Sequence, residues 1–478
     1  MRPTLQFLGG AGTVTGSKFH LRTDGAQLLV EAGLFQGLRE LRRRNWDPLP
    51  LEVPALDAVI VSHAHLDHTG YLPALVAQGL EAPVLATEST VALAEIVLRD
   101  SAKLQEEDAA YVGTKGFSKH AAPRPLYDLD DVESLLPMFR ALPFGERTEI
   151  SDEVFLTLHP AGHILGSSTA LVEIAGQRVV FSGDLGRGQH PLLVAPAARP
   201  SADIIVVEST YGDRHHPPTT DDELEDVINR TLHRGGVVLI PAFAVDRTEV
   251  VLMALRRLTD AGRIPRVPVF VDSPMALRAL SVYEQAVASH SADVRPDVAV
   301  GRDVFDPGDL RELHSAEESM TINEPRHPCI IISASGMATG GRIVHHLKHL
   351  VPDDRNTVVL VGYQAVGTRG RDLADGARQL KMHGQYVPVR AEVATVEGLS
   401  VHADSDELIA WVDSAPEPPQ VVYVVHGEPA SSAALAARIR SELDLLAVVP
   451  RDGEIVRLGM PSRRRRIPEH RHSSSTTS

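Results

Sequence analysis

The chain has 478 residues, of which 43% are hydrophobic and 23% charged, so it is a folded globular protein with room for several domains. Its net charge of −16 excludes a surface that coats nucleic acid broadly, although a local basic channel is still allowed. The single cysteine, Cys329, excludes a disulfide framework and thiolate-rich zinc sites and predicts a reducing compartment. No apolar run has the length of a signal peptide or a membrane span, so a cytoplasmic protein without membrane contact is expected.

Short apolar runs separated by turns fill the first part of the chain. Residues 26–30 and 58–61 are predicted to be buried strands, and helices are expected over residues 89–107 and 130–140. The glycine-rich turn at residues 9–16 falls between strands. A dinucleotide-binding loop joins a strand to a helix, so this turn does not predict a nucleotide cofactor.

Four potential metal ligands follow the strand at residues 58–61. His63 and His65 are two residues apart in an extended segment, so they point the same way and could hold one cation. Asp67 and His68 come after the chain turns, so they could reach a second cation nearby. One buried histidine is usually a core residue, but three beside a carboxylate would repel one another when protonated. The loop therefore predicts a metal centre.

Three later strands also end in polar residues, at the strand edge where open α/β folds build their sites. The pairs of strand and residue are 154–158 with His163, 178–181 with Asp184, and 203–207 with Glu208. Taken singly, each residue has an ordinary structural explanation: a turn or core histidine, a turn-forming aspartate and a strand-end acid.

From about Asp213 helices and strands alternate, which indicates an inserted parallel sheet. The predicted strand at residues 420–425 then leads into His426, and His402 precedes another helix. The residues after Pro461 include Arg463–Arg466 and are predicted to form a disordered, solvated tail rather than a binding arm.

Together these motifs resemble those of the metallo-β-lactamase superfamily. The segment His63-x-His65-x-Asp67-His68, then His163 and Asp184, stand in the order of that superfamily. The segments at residues 208–213, 400–404 and 425–428 resemble the added motifs of its β-CASP branch, which contains RNA- and DNA-processing nucleases. The similarity covers residues 4–457. The motifs most resemble those of bacterial and archaeal relatives of the nuclease that cuts pre-mRNA at its 3′ end.

The resemblance implies an α/β fold, an αββα metallo-β-lactamase sandwich with an inserted parallel-sheet β-CASP domain that caps the active site. The sandwich would comprise residues 1–208 and 395–458, the cap residues 209–394, and the basic, Ser/Thr-rich tail residues 459–478. A homodimer is a further expectation.

The resemblance also implies a zinc-dependent ribonuclease of RNA processing or decay. It would hydrolyse phosphodiester bonds of single-stranded RNA with a metal-bound hydroxide, internally, from the 5′ end, or both. The expected ligands of two zinc ions are His63, His65 and His163 for one, Asp67, His68 and His426 for the other, with Asp184 between them. His402 would protonate the leaving oxygen with Glu208 orienting its ring, and Asp67 would also contact the attacking hydroxide. The presence of His426 favours the RNA-directed members of the branch.

Two glycine-rich loops, at residues 333–342 and 362–371, would expose backbone N–H groups at the start of a helix, which suits a phosphate. The expected phosphate-binding residues are Ser335, Gly336, Thr339, Arg342 and Arg369. Tight strand-to-helix turns would explain the same loops. The basic stretch at residues 342–349 fits a solvated face and an RNA channel equally well.

Two residues depart from the family pattern. Glu31 stands where the family usually has an aspartate that bonds the metal loop, so its longer side chain would have to adapt. Asp246 stands where glycine is common, and its charge would weaken RNA binding if it pointed inward. Two other functions stay open: a hydrolase of a small ester with the same fold, and a catalytically silent RNA-binding subunit, which the change to Glu31 allows.

Overall fold

The computed structural model describes residues 2–115, 124–217, 221–298 and 303–459. The predicted tail with Arg463–Arg466 lies outside these residues. Two seven-stranded sheets and one six-stranded sheet dominate the molecule, together with a two-stranded hairpin. Within the described ranges, no helix combines the length and the apolar character needed to cross a bilayer.

The first sheet joins the two ends of the described chain. In spatial order its strands are Ile455–Arg457, Thr4–Gly9, Lys18–Arg22, Gln27–Val30, Ala58–Ile60, Val84–Ala86 and Phe139–Ala141. The last strand occupies residues that were expected to be helical, so the predicted end of the helix over residues 130–140 was wrong. The helix is Leu129–Leu135, and Phe139 pairs with Val84. A partner strand far away in sequence decides this, and local periodicity cannot reveal it.

The second sheet packs face to face on the first. Its strands in spatial order are Ala447–Val448, Val421–Val424, Ile204–Val207, Gln177–Phe181, Ser168–Ile174, Val154–Pro160 and Thr148–Ser151. Apolar side chains such as Phe7, Phe19 and Phe181 fill the space between the sheets. Burial of such large side chains is the main source of stability of a sandwich.

Helices cover the outer faces of both sheets. On the side of the first sheet they are Arg39–Arg43, Leu66–Thr69, Leu72–Val76, Glu88–Lys115 and Leu129–Leu135, with short 3-10 helices at Arg44–Trp46, Val53–Ala55 and Leu136–Met138. On the side of the second sheet they are Ser405–Asp413 and Pro429–Leu443, with a 3-10 turn at Glu397–Leu399. The expected layers of an αββα sandwich are therefore confirmed.

The third sheet is wholly parallel. The elements around it run from residue 222 to residue 395, against the expected cap of residues 209–394, and from here on we call residues 222–395 the cap. Its strands in spatial order are Leu310–Glu312, Val269–Val271, Ile330–Ser333, Val238–Pro241, Thr357–Leu360 and Glu392–Thr395. Its helices are Asp222–His233, Arg247–Asp260, Pro274–Ser289, Ala316–Thr321, Arg342–Leu350 and Arg369–Ala374, and the hairpin is Gln379–Met382 with Gln385–Pro388. The expected parallel-sheet insertion is confirmed.

A buried polar cluster joins the cap to the sandwich around Asp246. This residue has φ +69° in a γ-turn that is closed by a 2.9 Å hydrogen bond from Arg247 N to Val245 O, a backbone that glycine adopts most easily. Its carboxylate accepts a hydrogen bond from Tyr283 Oη at 2.9 Å and lies 3.1 Å from Nε2 of His190 in the sandwich. The side chain is fully buried in this interface, so it adds no charge to the exposed surface.

Replacing Asp246 by alanine is expected to lower the free energy of unfolding by about 2–4 kcal/mol, because Tyr283 and His190 lose a buried acceptor while the turn keeps its strain. Asp246→Gly should cost less, since glycine relieves the backbone. The shift of the urea midpoint measures both changes. If the alanine variant were as stable as the wild type, the polar cluster around Asp246 would not stabilise the contact between cap and sandwich.

Candidate metal centre

Loops at the carboxyl ends of four strands bring the expected metal ligands to one edge of the sandwich. His63 and its neighbours follow Ala58–Ile60, and the other ligands follow strands of the second sheet: His163 after Val154–Pro160, Asp184 after Gln177–Phe181 and His426 after Val421–Val424. Two groups of potential ligands result, His63, His65, His163 and Asp184 in one and Asp67, His68 and His426 in the other.

The first group presents its ligand atoms at the spacing of a coordination shell. His65 Nδ1 lies 3.1 Å from His63 Nε2 and 3.2 Å from His163 Nε2. Asp184 Oδ2 lies 3.6 Å from His63 Nε2 and 3.8 Å from His163 Nε2. Tetrahedral zinc with bonds of about 2.0–2.1 Å would separate its ligand atoms by about 3.3 Å, so this group fits a zinc ion.

The second group meets the other oxygen of the same aspartate. Asp184 Oδ1 lies 3.3 Å from His68 Nε2 and 3.5 Å from His426 Nε2. Asp67 Oδ2 lies 3.8 Å from His426 Nε2. The two oxygens of Asp184 thus face different groups of potential ligands.

Buried polar atoms in the centre fit a cation. His68 Nε2 and Asp184 Oδ1 lie 3.3 Å apart without a well-aligned hydrogen bond, and neither atom has another hydrogen-bond partner among the described residues, so a shared cation would satisfy both. Burial lowers the pKa of His63 and His163 well below the ordinary value and that of His65 to about 4, so these rings are neutral, as metal ligands must be.

The pKa of His68 is shifted in the opposite direction to those of His63, His65 and His163. Burial would lower its pKa, but the carboxylates of Asp184 and Glu31 outweigh burial and raise the pKa well above the ordinary value. A cation in the second group must therefore displace a proton from His68, so binding there weakens as the pH falls.

The second ring nitrogens of several ligands have partners that orient the rings. Ser62 Oγ lies 2.9 Å from His63 Nδ1, and Ser17 Oγ lies 2.8 Å from His426 Nδ1. Glu31 Oε2 lies 3.4 Å from His68 Nδ1, and its carboxylate accepts a hydrogen bond from Ser62 N at 3.2 Å. Such partners fix ring orientation at metal sites. Glu31 thus reaches the metal loop, and Ser17 is a supporting residue that the sequence did not reveal.

The glycine-rich turn at residues 9–16 also supports the centre. Gly10 O accepts a 2.6 Å hydrogen bond from the backbone N of His426, whose φ is +48°. A Cβ on Gly9 would lie 1.8 Å from Gly16 O, so the turn can close only with glycine there. The turn positions the backbone that carries His426.

His402 and Glu208 form a pair beside the first group. His402 Nδ1 lies 3.4 Å from Glu208 Oε1, and the Glu208 carboxylate accepts hydrogen bonds from Leu185 N at 2.7 Å and Thr210 N at 3.1 Å. The His402 ring lies 4.3 Å from the His163 ring, centroid to centroid. Burial lowers the pKa of His402, but Glu208 outweighs it and raises the pKa above the ordinary value. This is a suitable environment for a proton donor.

A cavity of about 1620 Å³ opens over the centre. Its walls include His65, Asp67, Asp184, His402 and His426 and, of the expected phosphate-binding residues, Ser335, Thr339, Arg342 and Arg369. Gly336 is not among the lining residues. A Cβ there would lie 2.5 Å from the ring of Phe243, so this glycine is explained by packing.

The two expected phosphate-binding arginines are engaged within the cap. Arg342 Nη1 donates to Asp272 Oδ1 at 2.6 Å and to Leu313 O at 3.0 Å. Arg369 Nη1 donates to the carbonyls of Ala338 and Thr339 at 3.1 and 3.0 Å. Both side chains therefore hold loops in place and keep few donors for a phosphate. His346 of the basic stretch is also buried, 2.5 Å from Asp272, so that stretch is only partly a solvated face.

Arg247 is a second residue that sequence reasoning missed. It begins the helix Arg247–Asp260, lines the cavity and is only 4% exposed. Its Nε and Nη1 have no hydrogen-bond acceptor among the described residues. A buried guanidinium with unused N–H donors is suited to binding an anion. In the sequence, only its neighbour Asp246 stands out.

Comparison with known proteins agrees with this site. Three family descriptions match in sequence: the metallo-beta-lactamase superfamily at residues 19–229, the Beta-Casp domain at residues 248–373, and a Zn-dependent metallo-hydrolase RNA specificity domain at residues 386–450. Together they span most of the sandwich and the cap.

Several curated relatives are similar over most of their length. The chain is 39% identical to ribonuclease TTHA0252 of Thermus thermophilus, over 88% of this chain and 92% of that protein. It is 30% identical to the transcription termination factor FttA of Methanocaldococcus jannaschii, over 95% and 71% of the two chains. An RNase J-like protein of the same archaeon is 29% identical over 95% and 99%. The expected family is confirmed: the chain belongs to the β-CASP branch of the metallo-β-lactamase superfamily and is a metal-dependent hydrolase.

Proposed function

We propose that the protein is a zinc-dependent ribonuclease that hydrolyses phosphodiester bonds of single-stranded RNA in RNA processing or decay. The observation that supports this most is Asp184, whose two oxygens face two separate groups of ligands on the floor of a large cavity. A relative that is 39% identical is named a ribonuclease. The single buried cysteine, Cys329, agrees with a cytoplasmic location.

In this proposal two zinc ions are bound at the centre. His63, His65 and His163 would hold one and Asp67, His68 and His426 the other, with Asp184 shared. Such a pair of ions would acidify a water molecule and neutralise the phosphoryl oxygens of the substrate. Asp67 is the most exposed carboxylate of the centre, so it is also placed to accept a hydrogen bond from the attacking water.

The neighbouring residues would handle the leaving group and the substrate charge. His402 would donate a proton to the leaving 3′-oxygen, because its ring borders the centre and its raised pKa keeps a proton available. Glu208 would orient that ring through Nδ1 while two backbone N–H groups hold the carboxylate. Arg247 would bind a phosphate with the donors that the cap leaves unused.

Replacing Arg247 by alanine is expected to lower kcat/KM for RNA roughly ten- to hundredfold, since charge-assisted hydrogen bonds to a phosphate are lost. Arg247→Lys should recover part of the activity because it keeps the charge without the planar fork. Steady-state cleavage of a labelled oligonucleotide measures this. An alanine variant with unchanged kcat/KM and a normal unfolding midpoint would remove Arg247 from the phosphate site.

The function is tested with protein stripped of metal and then reloaded with zinc. Single-stranded RNA labelled at the 5′ or the 3′ end, single-stranded DNA of the same sequence and a small carboxylic ester are the substrates. The proposal expects about two zinc ions per chain, RNA cleavage that requires them, and weaker or no action on DNA. The fragment pattern from the two labels separates internal cleavage from removal of 5′ nucleotides.

Two results would overturn the proposal. Zinc binding with hydrolysis of the ester and intact RNA would indicate a hydrolase of small substrates. RNA binding without zinc and without cleavage would indicate a silent RNA-binding subunit.

A further inference from the structure

An exposed aromatic and basic segment lines the cavity and contains none of the candidate metal ligands. We call residues 39–46 the arginine–tryptophan lip. It consists of the helix Arg39–Arg43 and the 3-10 turn Arg44–Trp46. Trp46 is 60% exposed, and Trp46 and Arg42 line the same cavity as Asp184. A tryptophan exposed to this extent beside an active site calls for an explanation, because burying its ring would be favourable.

The lip is held rigidly to the metal loop. Asn45 Oδ1 accepts a hydrogen bond from Phe35 N, and Asn45 Nδ2 donates to Phe35 O, both at 2.9 Å. The guanidinium of Arg44 stacks 4.0 Å from the centre of the Phe35 ring and donates to Asp452 at 2.5 Å. One residue before Phe35, Leu34 N donates to Leu66 O at 2.8 Å, inside the metal loop. The indole is therefore presented on a preorganised surface rather than on a free loop.

The lip carries a net positive charge, since it contains four arginines and one carboxylate, Glu40, and of the arginines Arg44 is paired with Asp452. Arg39, Arg42 and Arg43 are all exposed, and in the described part of the chain none of them forms an ion pair with a carboxylate. This is unusual for a chain with a net charge of −16. Unpaired arginines beside an exposed aromatic ring are the combination that binds single-stranded nucleic acid, because the charges attract phosphates and the ring stacks on a base.

We propose that the arginine–tryptophan lip is a binding subsite for single-stranded RNA outside the metal centre. A base stacks on Trp46, and Arg42 and Arg43 contact the phosphates on either side of it. The lip thereby guides the strand into the cavity. This inference rests on the proposed ribonuclease function and adds a substrate contact that is independent of sequence.

Fluorescence tests the stacking directly, since the only two tryptophans have opposite environments. Trp411 is 6% exposed and its Nε1 donates to Ala197 O, whereas Trp46 faces the cavity. The zinc-loaded His402→Ala protein, which should bind RNA without cutting it quickly, is titrated with an oligonucleotide of about 10 nucleotides. Tryptophan emission is expected to be quenched, and by a larger fraction when Trp411→Phe removes the buried indole that RNA does not contact. The quenching should disappear with Trp46→Phe.

Affinity and kinetics complete the test. Trp46→Ala should weaken binding of fluorescein-labelled RNA by about tenfold, while Trp46→Phe retains most of the affinity because a phenyl ring still stacks. In a protein that keeps His402, the loss should appear in KM rather than in kcat. The double variant Arg42→Ala with Arg43→Ala should reduce the slope of log affinity against log salt by about 1.4, or about 0.7 for each lost phosphate contact on a single strand.

The results distinguish failure of the proposed RNA-binding role of the lip from failure of the proposed ribonuclease function. If the wild type cleaves RNA but Trp46→Ala binds it as tightly as the wild type does, the lip proposal is overturned and the ribonuclease proposal stands. If Trp46→Ala lowers kcat and zinc content instead of affinity, the residue is structural, which also overturns the lip. A wild type that binds no RNA overturns both.

Discussion

Replacing Asp184 by asparagine is expected to abolish RNA cleavage, with a loss of about 10³-fold or more, and to reduce the bound zinc at the same time. The reason is the position of its carboxylate. One oxygen faces the first group of histidines at 3.6–3.8 Å, and the other faces His68 and His426 at 3.3–3.5 Å. Asparagine offers only one good ligand atom and no charge, so it cannot serve both groups.

The measurement pairs zinc counting with single-turnover cleavage of labelled RNA. Asp203→Asn is a suitable control, because Asp203 accepts a hydrogen bond from Arg178 N at the far end of the neighbouring strand and lies outside the centre. The control should keep its zinc and its activity. Full zinc content with full activity in Asp184→Asn would remove the bridging role, and with it the central argument for a two-metal site.

Replacing His402 by alanine is the second large effect, an expected decrease in the cleavage rate of about 10²–10⁴-fold with the zinc content unchanged. His402 borders the first group of ligands without belonging to it, and its partner is Glu208 at 3.4 Å. Its loss should therefore remove proton donation while the metal centre remains.

A change of leaving group tests that role more sharply than the rate alone. An RNA with sulfur in place of the leaving 3′-oxygen at one linkage departs as a thiolate, which needs no proton. The His402→Ala variant should cleave that linkage at nearly the wild-type rate while it remains slow on ordinary RNA. Equal impairment on both substrates would mean that His402 positions the substrate or the centre instead of donating a proton.

The extent to which the sequence predicted the site follows from how local each interaction is. His63, His65, Asp67 and His68 lie in a single loop, so their proximity follows from chain geometry alone. His163, Asp184 and His426 come from separate strands, and only the resemblance to a known family joined them to the first four residues.

Residues whose role depends on a distant contact were not predictable. Ser17 and His426 are 409 positions apart in the sequence, yet their side chains are within hydrogen-bond distance. A serine in a glycine-rich turn gives no sign of such a contact. Arg342 and Asp272 are 70 positions apart in the sequence. Their hydrogen bond gives the Arg342 guanidinium a structural role within the cap, where the sequence suggested a phosphate ligand. Arg247 acquires its significance only because the folded cap leaves its donors without acceptors.

The same reasoning applies to the fold. Buried strands with continuous apolar runs, such as Ala58–Ile60 and Ile204–Val207, were predicted within a residue or two because their composition allows little else. Phe139–Ala141 is a strand only because it completes the edge of the first sheet. Edge strands of three residues carry too little pattern to be recognised on their own.

The parallel pairing of Ile204–Val207 with Val421–Val424 has a consequence for how the enzyme is made. The entire cap is synthesised between these two neighbouring strands, so Glu208 and His426 leave the ribosome far apart in time. The strand Thr4–Gly9 likewise cannot pair with its outer neighbour, Ile455–Arg457, until that strand has been synthesised. A chain synthesised only as far as the cap carries His63, His65 and His68 but not His426. The second group of metal ligands is therefore incomplete until the strand Val421–Val424 and the loop after it have been made.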